Sequence, residues 1–89
     1  TIRLLYMLKE LVEYIIKQLV DENTPVTVVV KEEQSAVTVE IVVDTKERGR
    51  IIGRDGQTIK SLKAFLSCIV PAGTHIVIDL IPAAVASAP

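Results

Sequence analysis

The sequence predicts an α+β domain, in which amphipathic helices cover one face of a three-stranded sheet. Two segments, 4–20 and 57–69, carry apolar side chains at helical spacing. Three others, 26–30, 37–43 and 75–81, are rich in β-branched residues and are bounded by polar, proline or glycine positions. The chain of 89 residues has the size of one small domain, so we expect these elements to share a single core.

The composition indicates the compartment and the domain organisation. Hydrophobic residues make up 49% of the chain, which favours a packed core over disorder. The single cysteine, Cys68, excludes an internal disulfide, and we expect it to be buried in its apolar stretch. No apolar run approaches the roughly 18 residues of a membrane span. We therefore expect a cytoplasmic protein without membrane contact, with one domain over residues 1–81 and a flexible tail over 82–89.

The first helix is expected over residues 4–20, and the polar segment 21–25 ends it because Pro25 prevents simple continuation. Glu13 and Lys17 lie four residues apart on the polar face, where they form a favourable pair. The stripe that we expect to face the core consists of Leu4, Leu8, Leu11, Val12, Ile15 and Leu19. The apolar residues expected to lie off this stripe are Leu5, Tyr6, Ile16 and Val20.

A β-hairpin is expected after this helix. VTVVV (26–30) and VTVEIVV (37–43) are separated only by the polar segment KEEQSA, and so short a connection favours antiparallel pairing. The alternation in the second strand places Val37, Val39, Ile41 and Val43 on one face. We expect Val28, Val30 and Val42 to face outward.

Two helical segments and a strand complete the prediction. Residues 45–52 are expected to form two short helical turns with Thr45 as the N-cap, and the glycines at 53 and 56 interrupt them. A longer helix follows over 57–69, before the strand at 75–81. Its expected core-facing residues are Ile59, Leu62, Phe65, Leu66 and Ile69.

The segment GRIIGRDGQTIKSL, residues 49–62, holds three of the four glycines. Its spacing excludes a P-loop, whose paired glycines lie further apart and precede Lys-Ser/Thr, and also excludes the G-x-G-x-x-G dinucleotide fingerprint. What remains is a G-x-x-G motif between two helices. Bare glycines let a sugar–phosphate backbone approach closely, and the helix that begins at Gln57 presents free N–H groups to phosphate.

The charges are distributed unevenly along the chain, whose net charge is only −1. Residues 1–43 hold four basic and seven acidic side chains, whereas residues 44–63 hold six basic and three acidic ones. The basic segment therefore coincides with the glycine motif, as a phosphate-binding loop requires. Two simpler alternatives stay open at this point: the charges form a solvated face, and the glycines form a structural corner between two helices.

GRIIGRDGQTIKSL resembles the I-G-x-x-G-x-x-I-K-x-L core of K-homology (KH) domains at every apolar and glycine position. With LKELVEYIIKQLVD (8–21) and VTVEIVVDTKERGRIIGRDGQ (37–57), the chain is similar to the small bacterial KhpA (YlqC) family over residues 7–81. The resemblance implies a type II KH fold of order α-β-β-α-α-β, with three helices on one face of a three-stranded mixed sheet. It also implies an RNA-binding protein of the bacterial cytoplasm.

The resemblance further implies that the GxxG loop clamps about four nucleotides of single-stranded RNA. The expected RNA-site residues are Arg50, Ile51, Ile52, Gly53, Arg54, Asp55, Gly56, Gln57, Thr58, Ile59, Lys60 and Lys63. Among them, Ile51, Ile52 and Ile59 would contact the bases, since three aromatic residues cannot form a stacking platform. The Asp55 carboxylate opposes phosphate, and its alternative role is to cap the following helix.

The expected partners are single-stranded RNA and, by the same resemblance, a second copy of the chain or a larger KH/R3H protein of the KhpB (Jag) type. Two alternatives stay open: a KH fold used for protein pairing with weak RNA binding, and one KH domain of a larger RNA-processing protein. We expect no enzyme, because Ser61 and Ser67 lack a partner base. We expect no metal or cofactor, because His75 is the only histidine and has no ligand neighbours.

Overall fold

The computed structural model describes residues 2–82 and confirms the α+β class with the order α-β-β-α-α-β. The tail expected over 82–89 lies outside the described residues, except that Pro82 ends the last strand. No helix among the described residues has the length and apolar character needed to cross a membrane. The helices are α1 (Ile2–Leu19), α2 (Arg48–Ile52) and α3 (Gln57–Ser67), and the strands are β1 (Thr27–Glu33), β2 (Ala36–Val43) and β3 (His75–Pro82).

The sheet is mixed and has the strand order β1-β2-β3. β1 pairs antiparallel to β2, and β3 returns parallel to β2 after crossing over through α2 and α3. β2 alternates as predicted: the residues buried under the helices are Val37, Val39, Ile41 and Val43. The strand order places β1 and β3 at the two edges of the sheet. α1 packs on β1, and α3 packs on β3.

The β1–β2 hairpin is tighter than the sequence predicts. β1 continues to Glu33, which pairs with Ala36, so only Gln34 and Ser35 form the turn. Ser35 has a φ of 58°, in the left-handed region that such short turns require. The charged segment KEEQSA predicts a loop, but its first three residues, 31–33, are exposed positions at the end of β1.

The expectation that Val28 and Val30 face outward is wrong. Val28 pairs with Ile41 and is fully buried, and Val30 packs against the core. VTVVV is apolar on both faces, so its sequence has no alternation that would show which face is buried. Val42 lies between the buried Ile41 and Val43, and hence on the outer face as expected.

The core-facing side of α1 is centred on Leu8, Val12 and Ile16, each with no exposed surface. Ile16 and Val20 were expected off the stripe and are buried, while Leu5 packs against the core. The predicted stripe lies to one side of the side that is actually buried. α1 has apolar residues over a wide arc, and spacing alone does not show which part of that arc faces the sheet. The residues left outside the core on the other side include Tyr6, Met7 and Tyr14.

The core-facing side of α3 is formed by Leu62 and Leu66. Phe65, expected inside, is 49% exposed, and Cys68, expected to be buried, is exposed just after the helix. Both predictions are wrong because an apolar run at the end of a helix does not show which of its residues face the core. α3 ends at Ser67, so Cys68 lies in a turn beyond the sheet. Ile59 and Ile69 are partly buried against the core.

Candidate nucleic-acid interface

The glycine loop is fixed by Gly53, which ends α2 with φ 78° and ψ 175°. This backbone conformation is essentially restricted to glycine. A Cβ on Gly53 would also overlap Oγ1 of Thr58 and would lie 2.8 Å from its Cβ. The Gly53 N–H donates to the Gly49 carbonyl at 2.9 Å, so the chain leaves α2 at a defined angle. Glycine is therefore required here on both conformational and steric grounds.

Residues 54–56 form a single 3₁₀ turn that leads into α3. Gly56 N–H donates to the Gly53 carbonyl at 3.2 Å, and Gln57 N–H donates to the Arg54 carbonyl. Within residues 2–82, the amides of Arg54 and Asp55 have no backbone acceptor, and both residues are exposed. These two amides, with the exposed Arg54 side chain, give the loop several donors for one phosphate group. We refer to residues 53–56 as the clamp.

Asp55 has left-handed backbone angles of φ 53° and ψ 28°, which aspartate tolerates better than most residues. Gly56, with φ 73°, occupies the N-cap position of α3, and no side chain caps this helix. The capping role considered for Asp55 is therefore not seen. Its carboxylate is exposed beside these donors, where its negative charge would repel a phosphate group.

Beside the clamp lies an open depression of about 450 Å³, which we call the α3–β3 groove. It runs between α2 and α3 on one side and the edge strand β3 on the other. Aliphatic side chains from all three elements line it, and Arg48 and Lys60 supply positive charge. Its lining residues are Arg48, Ile52, Gly56, Ile59, Lys60, Ile78, Asp79 and Leu80.

Arg48 and Arg50 lie on different sides of α2. Arg48 is four residues before Ile52, and both line the α3–β3 groove. The Arg50 guanidinium instead lies 3.4 Å from Glu47 Oε1 and 4.0 Å from Asp21 Oδ1. Arg50, expected in the RNA site, thus pairs with acids outside the groove, and its contact with RNA stays a prediction.

Glu47 is the nearer of the two acids that pair with Arg50. Its side chain is buried although the residue is charged, with 6% of the residue exposed. Thr24 Oγ1 donates to Glu47 Oε2 at 3.4 Å, and the Arg50 guanidinium supplies the opposite charge. Asp44, rather than the expected Thr45, caps this region by accepting from the Lys46 amide at 3.1 Å. Arg50 thus ties α2 to the segment that follows α1.

The other predicted site residues divide into three groups. Ile52, Ile59 and Lys60 line the groove, and Lys63 is exposed one turn beyond Lys60. Ile51 has no exposed surface, so its expected contact with bases is corrected to a role in the core. The third group, Gln57 and Thr58, lies on the opposite side of α3.

That opposite side borders a second depression, of about 380 Å³, between α1 and α3. We call it the α1–α3 cleft, and its walls are almost entirely apolar. The exposed aromatic ring of Phe65 forms one wall, and Ile15 and Leu19 of α1 form the other. The lining residues are Ile15, Leu19, Gln57, Thr58, Ser61, Leu62 and Phe65.

Sequence reasoning missed Arg48 and the β3 residues Ile78, Asp79 and Leu80 as site residues. Arg48 had a signal, because it lies one helical turn before Ile52. The β3 residues had none, because the strand order that places β3 at the edge is not readable from spacing. Among residues 2–82, no group of three or more His, Cys, Asp or Glu residues is arranged to hold a metal ion.

Comparison with known proteins shows the family to which the sequence is similar. The family model for the KH domain of KhpA/KhpB matches residues 9–78. The chain is 38% identical over 74 residues to the RNA-binding protein KhpA of Thermotoga maritima, covering 83% of this chain and 99% of that protein. It is 33% identical over 75 residues to the Aquifex aeolicus protein of the same name, covering 83% and 95%. No solved structure gives a significant match.

Proposed function

The chain belongs to the KhpA/KhpB family of KH domains, and from this membership we propose that it binds single-stranded RNA through the clamp and the α3–β3 groove. The observation that carries the proposal is the direct junction between the two. Gly56 belongs to the clamp and also lines the groove, so a strand held at the clamp continues along aliphatic walls. Curated relatives of the chain are named RNA-binding proteins.

The backbone of the RNA is held at the clamp. Gly53 and Gly56 have no side chains to hinder the approach of a sugar–phosphate chain. The amides of Arg54 and Asp55 donate to phosphate oxygens, and the Arg54 guanidinium adds a bidentate contact. Lys60 and Lys63 lie further along α3 and attract the strand without reading its sequence.

The bases lie in the groove. Ile52 and Ile59 form the helical wall, and Ile78 and Leu80 form the strand wall. Aliphatic walls contact base faces without stacking, which suits a chain with three aromatic residues. Arg48, at the α2 end of the groove, takes the role that the sequence assigned to Arg50.

The proposed clamp is tested by Arg54→Asp, which places two adjacent carboxylates where phosphate would bind. We expect RNA binding to fall below detection while the free energy of unfolding changes by less than about 0.5 kcal/mol, because Arg54 is exposed. Arg3→Asp is the matched control, since it makes the same charge change on α1. Titration of a short single-stranded RNA and thermal melts measure the two effects. Unchanged affinity in Arg54→Asp would overturn the clamp.

The salt dependence of the same titration tests how many phosphates are held. About three to five basic groups can reach one strand, and each phosphate contact on single-stranded RNA contributes about −0.7 to the slope of log K against log salt. We expect a slope of roughly −2 to −4. A flat response would instead favour the protein-interaction alternative.

A second function, protein pairing, is supported by the α1–α3 cleft. Its apolar walls and the exposed Phe65 form a surface of the kind that associates with proteins. We propose that a second copy, or a larger KH/R3H protein of the KhpB type, covers this surface. Two linked clamps would bind long RNA about 10²-fold more tightly than one.

Three expectations remain predictions. Cytoplasmic localisation is tested by cell fractionation, and a longer natural chain by the intact mass of the protein from its source. The absence of catalytic activity is tested by incubating labelled RNA with the protein and looking for cleavage products.

A further inference from the structure

We propose that Arg48 on α2 reads the bases in the α3–β3 groove and favours guanine over adenine. This preference rests on the proposed function, because it concerns the bases of a strand that the clamp holds. Its basis is an unpaired guanidinium in a groove whose charged groups can only donate hydrogen bonds.

Arg48 lies on the groove side of α2. It precedes the buried Ile51 by three residues and the groove-lining Ile52 by four, the spacing of neighbours on one side of a helix. Arg48 and Leu80 also border a small crevice that adjoins the groove at the end of the sheet. The Arg48 side chain is therefore placed beside the strand wall, where the bases lie. The other residues of the crevice are Val43, Thr45, Ile81 and Pro82.

The Arg48 guanidinium is available to a ligand. In the part of the chain that the structure describes, no hydrogen bond or ion pair holds it, and the residue is exposed. Arg50, two residues further on, is instead paired with Glu47 and Asp21. Of the two α2 arginines, Arg48 thus keeps all its donors for a molecule in the groove.

No carboxylate faces the groove to compete for these donors. Asp79 lies at its border, but successive residues of β3 alternate between faces, and Asp79 points to the side of the sheet away from the helices, beside Glu40. The charged side chains that face the groove among residues 2–82 are Arg48 and Lys60, and both only donate hydrogen bonds. A base edge that offers acceptors is therefore favoured over one that presents an amino group.

Guanine is the base that fits an arginine fork best. Its O6 and N7 are neighbouring acceptors, spaced for two N–H donors of one guanidinium. Adenine has N7 at the same place but carries an amino group instead of O6, and this group opposes a donor. Both atoms are accessible in a single strand, whose bases are splayed out and unpaired. A bidentate contact of this kind favours guanine by about tenfold.

The test compares the hexanucleotide UGUGUG with UAUAUA and with two analogues, in which inosine or 7-deazaguanine replaces guanine. Inosine keeps O6 and N7, whereas 7-deazaguanine has a C–H group in place of N7. We expect the wild type to bind the guanine and inosine RNAs about tenfold more tightly than UAUAUA. The 7-deazaguanine RNA should lose most of this advantage, because only one of the two acceptors is left.

Arg48→Gln removes both the fork and one positive charge. Its affinity for UAUAUA should fall about threefold to fivefold, the effect of the charge alone. The ratio between the guanine and adenine RNAs should fall to about twofold or less. Lys63→Gln is the matched control: it removes the same charge from α3 outside the groove, so it should weaken both RNAs by one common factor and leave the ratio unchanged.

Three results would overturn the preference: a wild type that binds UAUAUA as tightly as UGUGUG, a guanine advantage that 7-deazaguanine retains in full, and an Arg48→Gln variant that weakens all the RNAs by one common factor. The last result would mean that Arg48 only attracts phosphate. Arg54→Asp separates these failures from failure of the clamp. RNA affinity insensitive to Arg54→Asp contradicts the clamp itself, whereas a base ratio insensitive to Arg48→Gln contradicts the reading of guanine.

Discussion

The two sides of α3 present different surfaces. On one side, Ile59 and Lys60 line a groove that combines aliphatic walls with the positive charges of Lys60 and Arg48. On the other side, Phe65 borders a cleft that is almost entirely apolar. A charged groove suits a nucleic-acid strand, and an apolar cleft suits a protein surface. Substitutions on one side should therefore affect RNA binding, and substitutions on the other should affect association.

The largest effect is expected for Gly53→Ala, because Gly53 sets the loop that begins α3 and therefore both of its sides. The new Cβ would require an unfavourable φ and would overlap Thr58. We expect the free energy of unfolding to fall by about 2–3 kcal/mol and RNA binding to be lost. Urea denaturation and RNA titration measure these effects.

Gly49→Ala is the matched control for this substitution. Gly49 lies inside α2, and a Cβ there would meet no atom within 4 Å. Alanine should stabilise this helix by up to about 1 kcal/mol. Equal stability of the two alanine variants would contradict the loop conformation.

The next largest effect is expected on the apolar side, for Phe65→Glu. A charge at the mouth of the α1–α3 cleft should weaken association about tenfold or more, because the carboxylate would have to be desolvated. Binding of a short RNA should change by no more than about twofold, since long-range repulsion is screened. Ala64→Glu adds the same charge to the neighbouring exposed position outside both depressions. Sedimentation over a range of concentrations measures association, and a wild type that stays monomeric throughout contradicts the pairing proposal.

A smaller effect separates the two arginines of α2. Arg48→Ala should lower RNA affinity about threefold to fivefold, the loss of one phosphate-facing charge, with little change in stability. Arg50→Ala should do the reverse and lower the free energy of unfolding by about 1 kcal/mol, because Glu47 remains buried without its counter-charge. RNA titrations and melts of both variants measure this. If Arg50→Ala weakens RNA binding more than Arg48→Ala does, the assignment of the two faces is wrong.

The smallest effect is expected for Asp55→Asn. It removes the carboxylate that opposes phosphate and keeps a residue type that tolerates left-handed angles. RNA affinity should rise about twofold to threefold, the contribution of one screened charge. Asp55→Ala removes the same charge but places alanine at φ 53°, so it should bind RNA similarly while losing about 1 kcal/mol of stability. Lower affinity in Asp55→Asn would show that the carboxylate helps to form the clamp.

The sequence predicted those features that depend on local pattern. The α+β class and the order of elements follow from spacing, and the structure confirms them. The family resemblance rests on the glycine motif and its apolar neighbours, and the family comparison confirms it. The errors fall where a pattern is ambiguous on its own. VTVVV is apolar on both faces, so its pattern does not show that Val28 is buried. α1 is apolar over a wide arc, so spacing does not show that Ile16 lies at the centre of the buried side.

Tertiary placement explains the remaining differences at the site. The opposite roles of Arg48 and Arg50 depend on where Glu47 and Asp21 lie, which spacing does not show. Phe65 is exposed because α1 and α3 leave a cleft between them, whereas its hydrophobicity favours the core. Ile78 and Leu80 belong to the groove only because β3 is an edge strand, and strand order is a property of the whole sheet.

The central claim, that RNA binds on the groove side of α3, is tested most directly by an NMR titration of the ¹⁵N-labelled chain with a short single-stranded RNA. We predict that the amide signals of Arg54, Asp55 and Lys60 shift most, together with those of Ile78–Leu80 on the opposite wall. The signals of Tyr14 and Phe65 should stay in place at low protein concentration. Shifts confined to the α1–α3 cleft, with the clamp amides unchanged, would contradict the account.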